Sequence, residues 1–113
     1  QTNVLSTPAE LPISLRWIAI MAGRVDCDLC ASTGIHDGRA VIKQILAGAN
    51  AVQVASALYR NGIGHLQTML DELQDWMTSH EYYGLEMFRG KMSQAAIADP
   101  AVYERVQFMK YFG

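Results

Sequence analysis

Charge is the first thing this chain has little of. Only 18% of its 113 residues are Asp, Glu, Lys or Arg, and they sum to a formal net charge of −2. Nucleic-acid binding ordinarily needs a concentrated basic face, and the sequence gathers none. No block of like charge and no low-complexity tract interrupts it, and a chain half of whose residues are hydrophobic is not a disordered segment. Long apolar runs are missing too. The longest, "WIAIMAG" at 17–23, is far too short to span a bilayer, so no membrane is expected. The N-terminus has no basic region followed by an apolar core, so it does not read as a signal peptide. Cysteine is scarce: Cys27 and Cys30 are the pair, and without a signal they point to a reducing cytoplasm. An initiator Met is also lacking. The chain opens at Gln1, which fits a processed or partial polypeptide.

What the chain does have is periodicity, within the size of one domain. Residues 1–12, with Pro8 and Pro12, read as a loop. Ser14 is the expected N-cap of a helix running to about Ala22, with Ile13, Trp17, Ile20 and Met21 at i, i+4, i+7, i+8 and Leu15 and Ile18 widening the apolar surface. Gly23 ends it. A strand is predicted at about Asp28–Ser32, followed by a Thr33-Gly34 turn and a helix capped by Asp37. Val41, Ile42, Ile45 and Leu46 form that helix's stripe opposite Arg39, Lys43 and Gln44, and Gly48 stops it. "AVQVASAL" at 51–58 reads as a second strand, apolar enough to be covered on both faces. The clearest helix is predicted from about Ile63 to Ser79, with Leu66, Met69, Leu70, Leu73, Trp76 and Met77 as its core-facing stripe. A short "GLEMFRGKMS" stretch follows, and Asp99-Pro100 opens a last helix.

Strands separated by helices of this length must be parallel, with a right-handed crossover. Two strands alone leave both sheet edges open. The chain therefore reads as a piece of a larger α/β sheet or barrel. Cys27 and Cys30 match C-x-x-C, but His36, His65 and His80 do not complete a zinc set, and side chains three apart on a strand point to opposite faces. Two small core-facing thiols are expected instead. "NGIG" lacks the spacing of a dinucleotide fingerprint and reads as a helix-start turn. His36 beside Asp37 is not an acid/base pair, because capping explains Asp37. Trp76, Tyr82, Tyr83 and Phe88 read as helix packing. The two strand-end turns differ from these features. Each sets small residues beside unpaired N–H groups and the positive end of a helix, an arrangement that can hold a phosphate or can simply permit close packing. Both readings stand on the residues alone.

"STGIHDGRAVIKQILAGANAVQVASALYRNG", followed by "ELQDWMTSHEYYGLEMFRGKMS", resembles the C-terminal end of class 1 dihydroorotate dehydrogenases over about residues 13–94. That family has a Gly-Gly-Ile turn after strand 7, an L-x-G-A helix end, a strand 8 ending in Gly-Thr, and an F-x-G-K closing stretch. The matching places here are Thr33-Gly34-Ile35, "ILAGA" at 45–49, Ala55-Ser56 and Phe88-Arg89-Gly90-Lys91. The resemblance implies the C-terminal portion of a (β/α)8 TIM barrel, about helix 6 to helix 8, in residues 1–94, with 95–113 as a helical C-terminal extension. It implies an FMN cofactor whose phosphate is held by Thr33, Gly34, Ala55 and Ser56. Thr33 stands where glycine is usual, Ala55 replaces the glycine of Gly-Thr, and Ser56 keeps the hydroxyl. The parent would oxidise dihydroorotate to orotate, with hydride passing to the flavin. The family's catalytic base and orotate-binding residues lie earlier in the barrel and have no counterpart here, so the isolated segment should be inactive. Its expected partner is the remainder of the barrel, or further copies of itself. Two other readings remain: another phosphate-binding barrel enzyme, and a non-enzymatic helical interaction module.

Overall fold

A computed structural model describes residues 5–96. A short 3₁₀ turn at Pro8–Glu10 leads into helix α1 (Leu11–Met21), strand β1 (Cys30–Ala31), helix α2 (Gly38–Ala47) and strand β2 (Ala51–Val52). Helices α3 (Ser56–Asn61) and α4 (His65–Ser79) follow, then 3₁₀ turns at Leu85–Met87 and Gln94–Ala96. The two strands pair in parallel, Cys30 against Ala51 and Ala31 against Val52. The predicted last helix at Asp99-Pro100, and the extension beyond residue 96, lie outside the described residues.

Helix α1 starts three residues before the predicted cap. Thr7 begins the turn that leads into it, its N–H donating to the Glu10 carboxylate at 2.9 Å, and Pro12 then sits in the first turn, where a missing N–H costs nothing. Ser14 is thereby left inside the helix, where its hydroxyl donates to Ser32 O and accepts from Gln44 Nε2, both at 2.9 Å. The buried stripe also differs from the expected one. Leu15 and Ala19 face the core with Leu11 and Ile18 beside them, whereas Ile13 (66% exposed) and Trp17 (59%) point outward. The small Ala19 and Ala47 in one cluster explain the choice, since alanines let α1 lie close to α2.

Helix α2 is capped as expected: Asp37 Oδ1 accepts from Ala40 N–H at 2.8 Å. Ile42 and Ile45 are buried, with Val41 and Leu46 packed beside them. Gln44, expected on the polar face, is fully buried, because its amide serves Ser14 across the α1–α2 contact. Beyond Gly48, the closing stretch donates to two carbonyls in the last turn of the helix. Gly90 N–H donates to Ile45 O at 2.9 Å and Met92 N–H to Leu46 O at 2.8 Å. That return path drops Phe88, 0% exposed, against Ile42 and Ile45, with Trp76 and Tyr82 around it. Trp76, Tyr82 and Phe88 do pack as one group, centroids 5.0–5.6 Å apart, while Tyr83 is exposed.

Three strand-level expectations are corrected. Both strands are shorter than predicted, and "AVQVASAL" yields to α3 from Ser56 onward, where Ala, Leu and Arg favour a helical turn. Ala51 and Gln53 are exposed while Val52 and Val54 are half-buried, so helices cover one face of β2 and not both. Cys27 and Cys30 are exposed free thiols rather than core residues. Cys27 precedes the strand, and within β1 it is Ala31 that turns toward the helices, which sends Cys30 to the opposite face. Helix α4 begins at His65, leaving Ile63 exposed, and of its stripe only Met69 is fully buried, while Leu66 and Leu70 remain exposed.

Candidate functional site

The helix end nearest the first turn is already occupied. Asp37 takes Ala40 N–H, and Glu72 reaches across from α4 to accept Gly38 N–H at 2.7 Å. Two carboxylates thus sit on the positive end of α2, where the sequence left open either a bound phosphate or close packing. The reach of Glu72 depends on Gly38: a Cβ there would run into Glu72 Cβ and lie 2.7 Å from Met69 O.

In the turn itself, Thr33 (φ 68°) and Gly34 (φ 76°) are consecutive left-handed residues. A β-branched side chain rarely adopts that region, so Thr33 carries strain of order 1–3 kcal/mol. Gly34 is buried, and its glycine identity has a packing cause. An added Cβ would stand 2.5 Å from Leu11 N at the start of α1. Its N–H donates to Ser6 Oγ at 3.2 Å.

Ser6 is the residue that joins the two turns. Its N–H donates to Ser56 Oγ at 2.9 Å, its carbonyl accepts from Arg60 Nη2 at 3.3 Å, and its Oγ lies 3.2 Å from His36 Nε2. Behind it, His65 Nε2 donates to His36 O at 2.7 Å. Under this strap is a cleft of about 210 Å³ lined by the polar Ser6, Ser32, Thr33, Gln53 and Ser56 and by the apolar Ile35 and Ala55. Three of the four expected site residues, Thr33, Ala55 and Ser56, therefore share one cleft, and Gly34 supports it from behind. Ser6, Gln53 and His36 were missed. Ser6 lies 50 residues from Ser56, and nothing local marks the contact. Gln53 was hidden by the strand expected at 51–58, because it reaches a strand end only once β2 stops at Val52.

The lining offers hydroxyls and one carboxamide, with no carboxylate among these residues. Such a lining can donate hydrogen bonds to an anion's oxygens. Larger clefts lie elsewhere: one of about 260 Å³ beside Gly48 and Arg89, and two on helix surfaces. One, about 470 Å³ between α2 and α4, is lined by Arg39, Ile42, Lys43, Glu72 and Trp76, among others. Burial, and secondarily Arg39, lowers the Lys43 pKa there, against an opposing pull from Asp37. The other, about 550 Å³, runs along the outer side of α4 past Leu70, Leu73 and Met77. Both are open grooves on helix surfaces. Among the described residues no group of His, Cys, Asp or Glu is arranged to hold a metal ion, and no helix is long and apolar enough to cross a membrane.

Fold and cleft together define a class: an α/β layer with a polar pocket at the C-terminal ends of adjacent parallel strands. Comparison with known proteins supplies the particular relatives. The chain is 30% identical over 86 residues (76% of its length) to the catalytic subunit of dihydroorotate dehydrogenase B (NAD(+)) from Thermoplasma volcanium, covering 29% of that protein. It is 31% identical over 85 residues (74%) to a probable dihydroorotate dehydrogenase A (fumarate) from Enterococcus faecalis, covering 27% of it. To the chloroplastic dihydropyrimidine dehydrogenase (NADP(+)) of Arabidopsis thaliana it is 36% identical over 69 residues (61%), covering 16%. No protein-family model matches the chain. Its curated homologues are thus dihydroorotate dehydrogenases of the fumarate and NAD(+) types and dihydropyrimidine dehydrogenase, as the resemblance implied. The chain spans less than a third of the length of each of these three.

Proposed function

We propose that this chain is a segment of an FMN-dependent oxidoreductase of the dihydroorotate dehydrogenase kind, and that its two strand-end turns hold the flavin's phosphate. The observation that carries the reading is the convergence of Thr33, Ala55 and Ser56 in one polar cleft at the ends of paired parallel strands. In this reading the strands are two of the eight in a (β/α)8 barrel, and the rest of the barrel completes the site.

The residues present fit a phosphate. At about 210 Å³ the cleft is smaller than a whole small-molecule site, which suits one end of a ligand. Ser56 Oγ already accepts from Ser6 N–H, so its own proton is available to a phosphate oxygen. Thr33 and Ala55 bring backbone close to the same space. The phosphate is not met by α2, whose end is filled by Asp37 and Glu72. When bound, FMN would supply a two-electron acceptor for the oxidation of dihydroorotate to orotate. This chain's part is to anchor and orient, and it brings no catalytic base of its own to the cleft.

The test is titration of the intact protein with FMN and with riboflavin, which lacks the phosphate, followed by fluorescence. FMN should bind more tightly, and Ser56→Ala should weaken FMN alone, by about 1 kcal/mol or roughly fivefold. Equal affinity for both flavins in the unmodified protein would remove the phosphate from this cleft.

A further inference from the structure

The hydrogen-bond inventory around Ser6 assigns a role to His36, and this inference rests on the phosphate reading above. A serine hydroxyl has one proton to donate and two lone pairs to accept with. Gly34 N–H occupies one lone pair of Ser6 Oγ. Among the described residues, the other contact of that oxygen is His36 Nε2 at 3.2 Å, and its sense decides what the hydroxyl can do. If Nε2 accepts, the Ser6 proton is spent on the imidazole, and the hydroxyl has nothing to offer the cleft. If Nε2–H donates, both lone pairs are filled and the proton is left for the cleft. Ser6 itself is held by its N–H on Ser56 and its carbonyl under Arg60, so the hydroxyl must meet its partners by rotation alone. His36 is held in turn, since its carbonyl accepts from His65 Nε2 at 2.7 Å.

We infer that His36 is a positioning residue. Its Nε2–H donates to Ser6 Oγ and turns the Ser6 proton toward an oxygen of a phosphate monoester in the cleft. Ser6 and Ser56 then form a matched pair. Each accepts a hydrogen bond from the protein, each donates to the ligand, and no formal positive charge lines the pocket. The chemistry recognised is a phosphate oxygen that accepts hydrogen bonds. A neutral hydroxyl at the same place on the ligand would compete poorly, because it can accept only with its fewer lone pairs.

The experiment measures FMN and riboflavin affinity for the intact protein and its Ser56→Ala, Ser6→Ala, His36→Ala and His36→Gln variants, and for the Ser6→Ala/His36→Ala double variant. His36→Ala should weaken FMN about 5- to 10-fold and leave riboflavin within about twofold. His36→Gln, whose amide N–H can reach the same oxygen, should stay within about twofold of the unmodified protein for both flavins. The double variant should be no weaker than Ser6→Ala, because the two residues act through one hydroxyl. Equal loss of both flavins in His36→Ala, equal loss in His36→Ala and His36→Gln, or additive losses in the double variant would each overturn the role. If His36→Ala alone does not fold, His36→Gln and Ser6→Ala still decide it: loss of FMN selectivity in His36→Gln, or its retention in Ser6→Ala, overturns it. Should Ser56→Ala weaken FMN while His36→Ala does not, the inference fails and the phosphate reading stands. Should neither Ser56→Ala nor Ser6→Ala affect FMN, both fail together.

Discussion

A single missing methyl group sets the distance between α2 and α4. Gly38 lies where its amide meets Glu72, and any Cβ there would run into Glu72 Cβ and the Met69 carbonyl. The carbonyl belongs to α4's backbone and cannot rotate away. Gly38→Ala should therefore cost about 1–3 kcal/mol, as overpacking does, and break the Glu72 hydrogen bond, which thermal denaturation would show as a lowered midpoint. An unchanged midpoint would mean that α4 can shift freely over α2. At this scale, what the sequence disclosed was whatever acts locally. Asp37 was legible because a cap bonds three residues ahead of itself. Thr33 and Ser56 were legible only through a family pattern. Glu72, Ser6 and His36 were not, because their partners lie 28 to 50 residues away and no spacing rule reaches that far.

Among the elements, the closing stretch after α4 is an unexpected source of order. It has no long helix or strand of its own, yet it donates to two carbonyls at the end of α2 and inserts Phe88 between α2 and α4. Removing that ring leaves a cavity lined by Ile42, Ile45 and Trp76, and Phe88→Ala should destabilise by about 3–5 kcal/mol. Chemical denaturation would measure it, and a loss under about 1 kcal/mol would show that the stretch merely rests on the surface. Helix α2 was readable from its stripe, whose Ile42 and Ile45 are buried. The α4 stripe was readable in part, since Met69 is buried and Leu66 and Leu70 are exposed. The face of α1 was misread. Periodicity gives the spacing of an apolar stripe, but α1 is apolar nearly all round, and the choice fell to the side with small residues. Strand lengths were misread for a related reason: alternation persists past Val52, but pairing stops where the partner strand does.

For the whole molecule, the decisive property is what its two-strand sheet lacks. Among the described residues each strand pairs on one side only, and the sheet face bearing Cys30, Ala51 and Gln53 is exposed. Ile13, Trp17 and Met21 on α1, and Leu66 and Leu70 on α4, add exposed apolar surface. Unpaired edges and apolar patches of this kind drive association. Residues 1–113 produced alone should sediment as dimers or larger species at micromolar concentration. A strictly monomeric 12.5 kDa species with a cooperative thermal transition would instead mean that this layer is sufficient by itself.

The strap of Ser6 has a consequence in time as well as in space. Its three contacts with Gly34, His36 and Ser56 join positions 28, 30 and 50 residues apart. Helices can wind before any of these meet, but the cleft cannot exist until they do, and closing such long loops is the slow part of folding. The pocket is thus the last region to be built and the first to open. An anion lodged there would act as a latch on the final closure, and occupancy would slow unfolding instead of hastening folding.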